Sequence, residues 1–194
     1  TLKIITVSDD GQTIETTGTL VFDTDTSTYH DIIKVNDDIV AIAASVATGG
    51  GVLTTVNTTT LTVVASVIHD TNSITDNSLV QVDKDTVALA YTSGTGSGNQ
   101  GDGTSGYIST FDISSSGAIT PVKVHNHAAI GGAANLEHSC QTLGPFVWCR
   151  ADGNSFVKVD ADTFALAYEG SKIFTDDNAD VTDSYIKTFD ISAD

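Results

Sequence analysis

The chain has 194 residues, of which 25 are acidic and 8 are basic, giving a formal net charge of −17. This charge excludes nucleic acid as a partner, because phosphate contacts need clusters of Lys and Arg. It also disfavours an anionic membrane surface, and no apolar run approaches the roughly 20 residues that insertion into a membrane requires.

The first 23 residues predict two strands. Residues 2–7 and the turn of Ser, Asp and Gly that follows them match one strand and turn of a later repeated unit, and residues 14–22 match the strand after it. Short alternating runs bounded by such turn residues are typical of strands joined by tight turns. This pair matches the last two strands of a unit that the rest of the chain repeats.

That unit occurs three times in the sequence. Residues 30–44 read HDIIKVNDDIVAIAA, residues 77–91 read NSLVQVDKDTVALAY, and residues 154–168 read NSFVKVDADTFALAY. A second shared phrase follows each copy: GVLTTVN from residue 51, GYISTFDIS from 106 and SYIKTFDIS from 184. We predict strands A and B in the first phrase, strand C in the second, and strand D after it. Such a unit is one supersecondary element that must stack on its neighbours.

The spacing predicts a β-propeller-like array of four-stranded antiparallel blades. Ile32 and Leu79 are 47 positions apart (79 − 32), and a propeller blade repeats every ~40 to 50 residues. Leu79 and Phe156 are 77 apart (156 − 79), and the extra residues fall in predicted loops at 93–105 and 128–153. The chain is thus predicted to be all-β, one domain over 1–194 with about three and a quarter blades; a two-sheet sandwich is the alternative.

The two ends of the chain are out of phase. A C strand is predicted at both ends, whereas closed propellers usually have at least about four blades. Either the chain is a piece of a longer repeat protein, or copies complete each other's end blades through residues 1–23 and 154–194. The chain begins with Thr1 and contains no Met, which indicates a processed or excised segment.

The insertion at 128–153 carries the only cysteines. Cys140 and Cys149 bracket a Gly-Pro turn, so we predict a disulfide that closes a small loop. Two aromatic residues and one guanidinium stand in or beside that loop, and we predict that they bind a carbohydrate or protein ligand: Phe146, Trp148 and Arg150. Packing of the aromatic rings back onto the domain is the alternative.

Two acidic stretches are candidates for Ca²⁺, the one cofactor considered. Alternating oxygen side chains in a loop can wrap Ca²⁺, and neither stretch has the Gly and terminal Glu of an EF-hand. Ordinary solvated turns explain the same pattern, and both interpretations stay open. The first stretch holds Asp23, Asp25, Ser27 and Asp31; the second holds Asp176, Asn178 and Asp180. The acidic triplets at 36–38, 83–85 and 160–162 recur in every unit, which favours a structural role in the hairpin turn over a metal or ligand site.

The histidines and the motif search provide weak evidence for a metal site or for catalysis. His125 and His127 share one face of a predicted strand, with His138 as a third candidate metal ligand; exposed edge histidines are the alternative. The sequence has no nucleophile elbow, HExxH or P-loop motif. We therefore predict no enzyme, with a glycosidase-type carboxylate pair as a third hypothesis.

The unit SLVxVDxDTxALAYxG…GYIxTFxIS resembles a β-propeller repeat of large, tandemly repeated secreted or surface proteins of microbes. The resemblance covers nearly the whole chain outside the two insertions and implies no catalytic residues. Low Lys and Arg content and abundant Thr, Ser, Gly and Asn also favour an extracellular or cell-surface location. The predicted function is ligand binding or adhesion through the inserted loops. The alternative is a structural subunit that self-associates through incomplete end blades into a ring or filament.

Overall fold

The computed structural model describes residues 1–48, 50–94, 104–128, 149–173 and 180–192, and these form strands without any helix. The all-β prediction is confirmed. The strands are β1 (Leu2–Val7), β2 (Ile14–Leu20), β3 (Ser27–Lys34), β4 (Ile39–Val46), β5 (Gly51–Asn57), β6 (Thr62–Asp70), β7 (Ser73–Gln81), β8 (Thr86–Gly94), β9 (Thr104–Ile113), β10 (Ile119–Ala128), β11 (Cys149–Lys158), β12 (Thr163–Ile173) and β13 (Asp180–Asp190).

The strands form four antiparallel sheets in chain order. Sheet 1 is β1–β2, sheet 2 is β3–β4–β5–β6, sheet 3 is β7–β8–β9–β10, and sheet 4 is β11–β12–β13. Within each sheet, every strand pairs with the next one along the chain, as the predicted order A, B, C, D requires. Among the described residues no sheet closes on itself, and only sheets 2 and 3 have four strands. The ring arrangement of a propeller therefore stays a prediction.

The first strand of each unit has a bulge at the same place. The register shifts between Thr28 and Asp31 in β3, and at the equivalent positions of β7 and β11. The bulge contains a residue with positive φ in every copy: Tyr29 (51°), Asp76 (55°) and Gly153 (64°). A bulge bends its strand and redirects the local backbone groups. The three units thus share a backbone irregularity as well as a sequence.

The turn between strands A and B is held by its acidic or amide side chain. Asp160 Oδ1 accepts hydrogen bonds from the N–H groups of Asp162 (3.3 Å) and Thr163 (2.9 Å). These bonds, that from Thr163 first, hold the pKa of Asp160 below its usual value. Asn36 and Asp83 accept the two equivalent bonds in the other copies. The interpretation of the repeated triplets as hairpin devices is confirmed.

The core lies between successive sheets. One apolar cluster joins sheets 2 and 3, and a second joins sheets 3 and 4. We call the side of a sheet that packs on the preceding sheet its leading face, and the opposite side its trailing face. In sheet 3, Leu79 and Tyr91 lie on the leading face, and Ala88 and Ala90 lie on the trailing face. Large residues of one sheet thus meet small residues of the sheet before it, which gives close packing.

Candidate functional site

The surfaces that join successive sheets are the best-defined feature of the molecule. Side chains and bulged backbone of the A strands make three hydrogen bonds between sheets 2 and 3. Leu79 N–H donates to Asp31 Oδ2 (2.6 Å), Asn77 Nδ2 to Tyr29 O (2.7 Å), and Gln81 Nε2 to Val35 O (3.1 Å).

The joint between sheets 3 and 4 repeats this set of bonds. Phe156 N–H donates to Ser78 Oγ (3.0 Å), Asn154 Nδ2 to Asp76 O (3.2 Å), and Lys158 Nζ to Val82 O. Every donor and acceptor occupies the same repeat position as its counterpart in the first joint. Two adjacent joints with the same contacts mean that one spatial relationship carries each sheet onto the next, as in solenoids and propellers.

A turn adds a second contact to the first joint. The turn between β9 and β10 lies on sheet 2, where Thr55 Oγ1 donates a buried hydrogen bond to Gly117 O (2.6 Å). Gly117 has φ 93°, and a Cβ there would lie 3.0 Å from Val64 Cγ1 and 3.2 Å from Ile39 Cδ1. Glycine is required at this turn both by its backbone conformation and by the closeness of sheet 2.

The corresponding place at the second joint is a groove of about 460 Å³. Thr110 of sheet 3 lines this groove and occupies the repeat position of Thr55 in sheet 2. Val122 also lines it and occupies the repeat position of Val64. The rest of the lining is mixed in polarity and includes Asp112, Lys123, His125 and Phe189. The groove therefore marks a position that a turn fills in the first joint.

Each joint also contains a histidine whose ring nitrogens are buried. The ring of His69, at the end of β6, lies 4.6 Å from the ring of Tyr91, and the ring of His127, at the end of β10, lies 5.1 Å from Tyr168. Neither histidine has a hydrogen-bond partner for its buried ring nitrogens among the described residues. Burial lowers the pKa of His69 to about 4 and that of His127 to about 3, the latter with help from the charge of Lys187.

The interpretation of the histidines as exposed edge residues is wrong for His127, which is 2% exposed. His125 is exposed, as that interpretation expected. The rings of His125 and His127 both lie against Phe189, with centroids 6.0 and 6.1 Å away, and the ring of His127 also contacts Tyr168. The sequence signal that could have identified the buried pair is position: each is at the end of a D strand, one joint apart.

One face of sheet 4 is left uncovered. Val157, Val159 and Ile186 on its trailing face are 56%, 60% and 77% exposed. Their counterparts in sheet 3, Val80, Val82 and Ile108, are 8%, 1% and 5% exposed because sheet 4 covers them. An exposed apolar patch of this kind marks an interaction surface.

The predicted ligand and disulfide residues lie mostly outside the described residues. This holds for Cys140, Phe146 and Trp148, as well as for His138. For Cys149 and Arg150 the structure gives the backbone, which begins β11 and pairs with Lys172 and Ser171 of β12. The disulfide and the ligand-binding loop therefore stay predictions.

The predicted Ca²⁺ clusters gain no support. Asp176 and Asn178 lie outside the described residues, and only the backbone of Asp180 is described. In the first cluster Asp31 accepts the N–H of Leu79, Asp23 Oδ1 accepts the N–H of Asp25 (2.9 Å), and Ser27 Oγ lies 2.8 Å from His30 Nε2. Within the described ranges no three His, Cys, Asp or Glu side chains form a group that could hold a metal ion.

Comparisons of the chain with protein-family models, with curated proteins and with solved structures find no match. In the part of the chain that the structure describes, no helix is long and apolar enough to cross a membrane.

Proposed function

We propose that this chain is an extracellular or cell-surface structural module that self-associates by stacking its β-sheets, in the manner of propeller blades. The observation that carries the proposal is the uncovered trailing face of sheet 4. It has the same residue types that sheets 2 and 3 use to hold their successors, yet none of the described residues covers it.

The physical argument is the cost of that exposure. Val157, Val159 and Ile186 each leave more than half of their surface in water, and burying an aliphatic side chain of this size stabilises a protein by ~1.5 to 3 kcal/mol. Burial of the equivalent residues at two internal joints supports a partner with the shape of another such sheet. A net charge of −17 keeps the surface soluble and makes association stronger as salt screens repulsion.

The direct test is the mass of the chain in solution. Light scattering behind size exclusion, from low to high micromolar concentration and at two salt concentrations, should show a mass that rises above that of the single chain as concentration and salt increase. A constant mass near 20.1 kDa across the whole series would refute the proposal.

Ligand binding or adhesion through the inserted loops is the second proposal. The backbone of Arg150 lies at the start of β11, opposite Ser171 of β12, which supports a loop attached at that end of sheet 4. A glycan array is the test, with a Trp148→Ala variant as the comparison. Binding to a sugar class by the unmodified chain and its loss in the variant would support this function.

A further inference from the structure

We infer that the trailing face of sheet 4 docks on β3 of a second copy of this chain, and that the incoming β13 takes the place of β1 in that copy. The inference rests on the proposed self-association and names the two surfaces that meet. It is carried by the internal joints, because each end of the chain presents one half of the joint that the middle of the chain forms twice.

On the trailing face of sheet 4, β11 carries the hydrogen-bond acceptor that a following sheet needs. Asp31 and Ser78 each accept the N–H of the following sheet, at Leu79 and Phe156. Ser155 stands at the same repeat position, and it is exposed. Its hydroxyl is therefore placed to accept an N–H from a sheet laid on this face.

On the leading face of sheet 2, β3 carries the side chain and the donors that a preceding sheet would contact. Ile32 is 50% exposed, whereas its counterparts Leu79 and Phe156 are each 7% exposed. The N–H of Ile32 bonds to its own neighbour, Asp31 Oδ1 (2.8 Å), instead of to a preceding sheet. The ammonium of Lys34 contacts exposed Asp37 (2.7 Å), although its counterparts Gln81 and Lys158 reach across a joint.

These two halves fit by the same rules as the internal joints. Ile32 N–H of the second copy would donate to Ser155, and Lys34 would donate to the carbonyl of Val159. An exposed pair such as Lys34 with Asp37 is worth about 1 kcal/mol or less, so releasing Lys34 costs little. Ile32 would then pack on Val157 and Val159 as Leu79 packs on sheet 2.

The incoming sheet competes with the hairpin β1–β2. Both β1 and β13 are the third strand of the unit, and in sheets 2 and 3 the third strand pairs with a fourth. In sheet 4 the described residues supply no fourth strand. An isolated two-stranded hairpin is only marginally stable in water, and every residue of β1 and β2 is half-buried or exposed. β13 therefore replaces β1 beside β2, and the shared sheet gains its fourth strand.

This exchange sets the size of the closed assembly. Each chain then contributes two complete sheets, sheets 2 and 3. Its sheet 4 forms a third four-stranded sheet together with β2 of the next chain, which makes three four-stranded sheets per chain. One chain would give three, below the ~4 to 8 blades of closed propellers, whereas two chains would give 2 × 3 = 6. The expected assembly is a head-to-tail dimer of 2 × 20.1 = 40.2 kDa.

The test uses one charged substitution on each half. Ile186→Asp disables the trailing half and Ile32→Asp disables the leading half; both sites are exposed in the single chain, so folding is retained. Each variant alone should dissociate at least tenfold more readily than the unmodified chain. A 1:1 mixture should recover a dimer, because it retains one intact joint. Val124→Asp, at a 59% exposed valine on neither surface, is the matched control and should not change the mass.

A third variant addresses the replaced strand. Ile5→Pro weakens the pairing of β1 with β2, and it should strengthen association. Weaker association would show that β1 is part of the interface and would overturn the exchange. If the unmodified chain associates but both Asp variants behave like the control, the inference fails while the proposed function stands. If the unmodified chain is monomeric throughout, both fail.

Discussion

Mild acid should loosen both joints, because each joint buries an uncharged histidine without a hydrogen-bond partner. Protonating His69 or His127 in place would put a charge into an apolar contact with a tyrosine ring, which burial disfavours. Asp70 beside His69 opposes this effect, whereas Lys187 and His125 beside His127 reinforce it. The unfolded chain has no such restriction and takes up protons near the ordinary histidine pKa of 6.5.

The sign and size follow from these values. A histidine with a lowered pKa in the folded state contributes full stability above pH 6.5 and loses it as the pH falls toward its folded value of about 4 (His69) or about 3 (His127). Each unit of pH in that window costs about 1.4 kcal/mol per histidine. At pH 5, 1.5 units below 6.5, the two together cost about 4 kcal/mol, a large part of the ~5 to 15 kcal/mol that stabilises a typical domain.

The first repeat unit indicates which substitution to use in the assay. Phe22 of the first unit occupies the repeat position of His69, so His69→Phe and His127→Phe copy a ring that the fold already uses there. Urea unfolding at pH 7.5 and pH 5.0 should show a loss in the unmodified chain that each substitution roughly halves. Hydrogen bonds from Thr163 and Asp162 lower the pKa of Asp160 from 3.8, so this carboxylate keeps its charge between pH 7.5 and pH 5.0. His125→Phe, at an exposed histidine of the same strand, controls for the added ring. The reasoning is refuted if the double variant loses as much stability as the unmodified chain.

Three further outcomes are expected. Gly117→Ala should destabilise by about 2 kcal/mol or more, against about 1 kcal/mol for Gly11→Ala, since both have positive φ but only Gly117 lies against another sheet; equal losses in thermal unfolding would contradict the docked turn. A non-reduced digest should yield one peptide pair linked through Cys140 and Cys149, and two free thiols would disprove the disulfide. If the acidic clusters bind Ca²⁺, excess Ca²⁺ should raise the melting temperature over that in EDTA; identical curves would leave them as turns.

Local chemistry determined the strands of this protein. Alternating side chains, the repeated Asp or Asn at each A–B turn and the 47-residue spacing act over a few neighbouring residues, so they could be read directly. The predicted order of strands A to D and the hairpin role of the acidic triplets are confirmed for this reason. The positive φ at Tyr29 and Asp76 could not be predicted, because neither residue type signals a bulge in the way that Gly153 does.

Only the tertiary structure decided what each strand faces. Asp31 has the sequence neighbourhood of a metal ligand, yet it accepts the N–H of Leu79, which is 48 positions away. His125 and His127 look alike in the sequence, but the Tyr168 ring of the next sheet covers only the second. Val82 and Val159 occupy the same repeat position and differ in exposure from 1% to 60%. Burial depends on whether another sheet lies on that face, and this is a property of the stacked array that no single repeat contains.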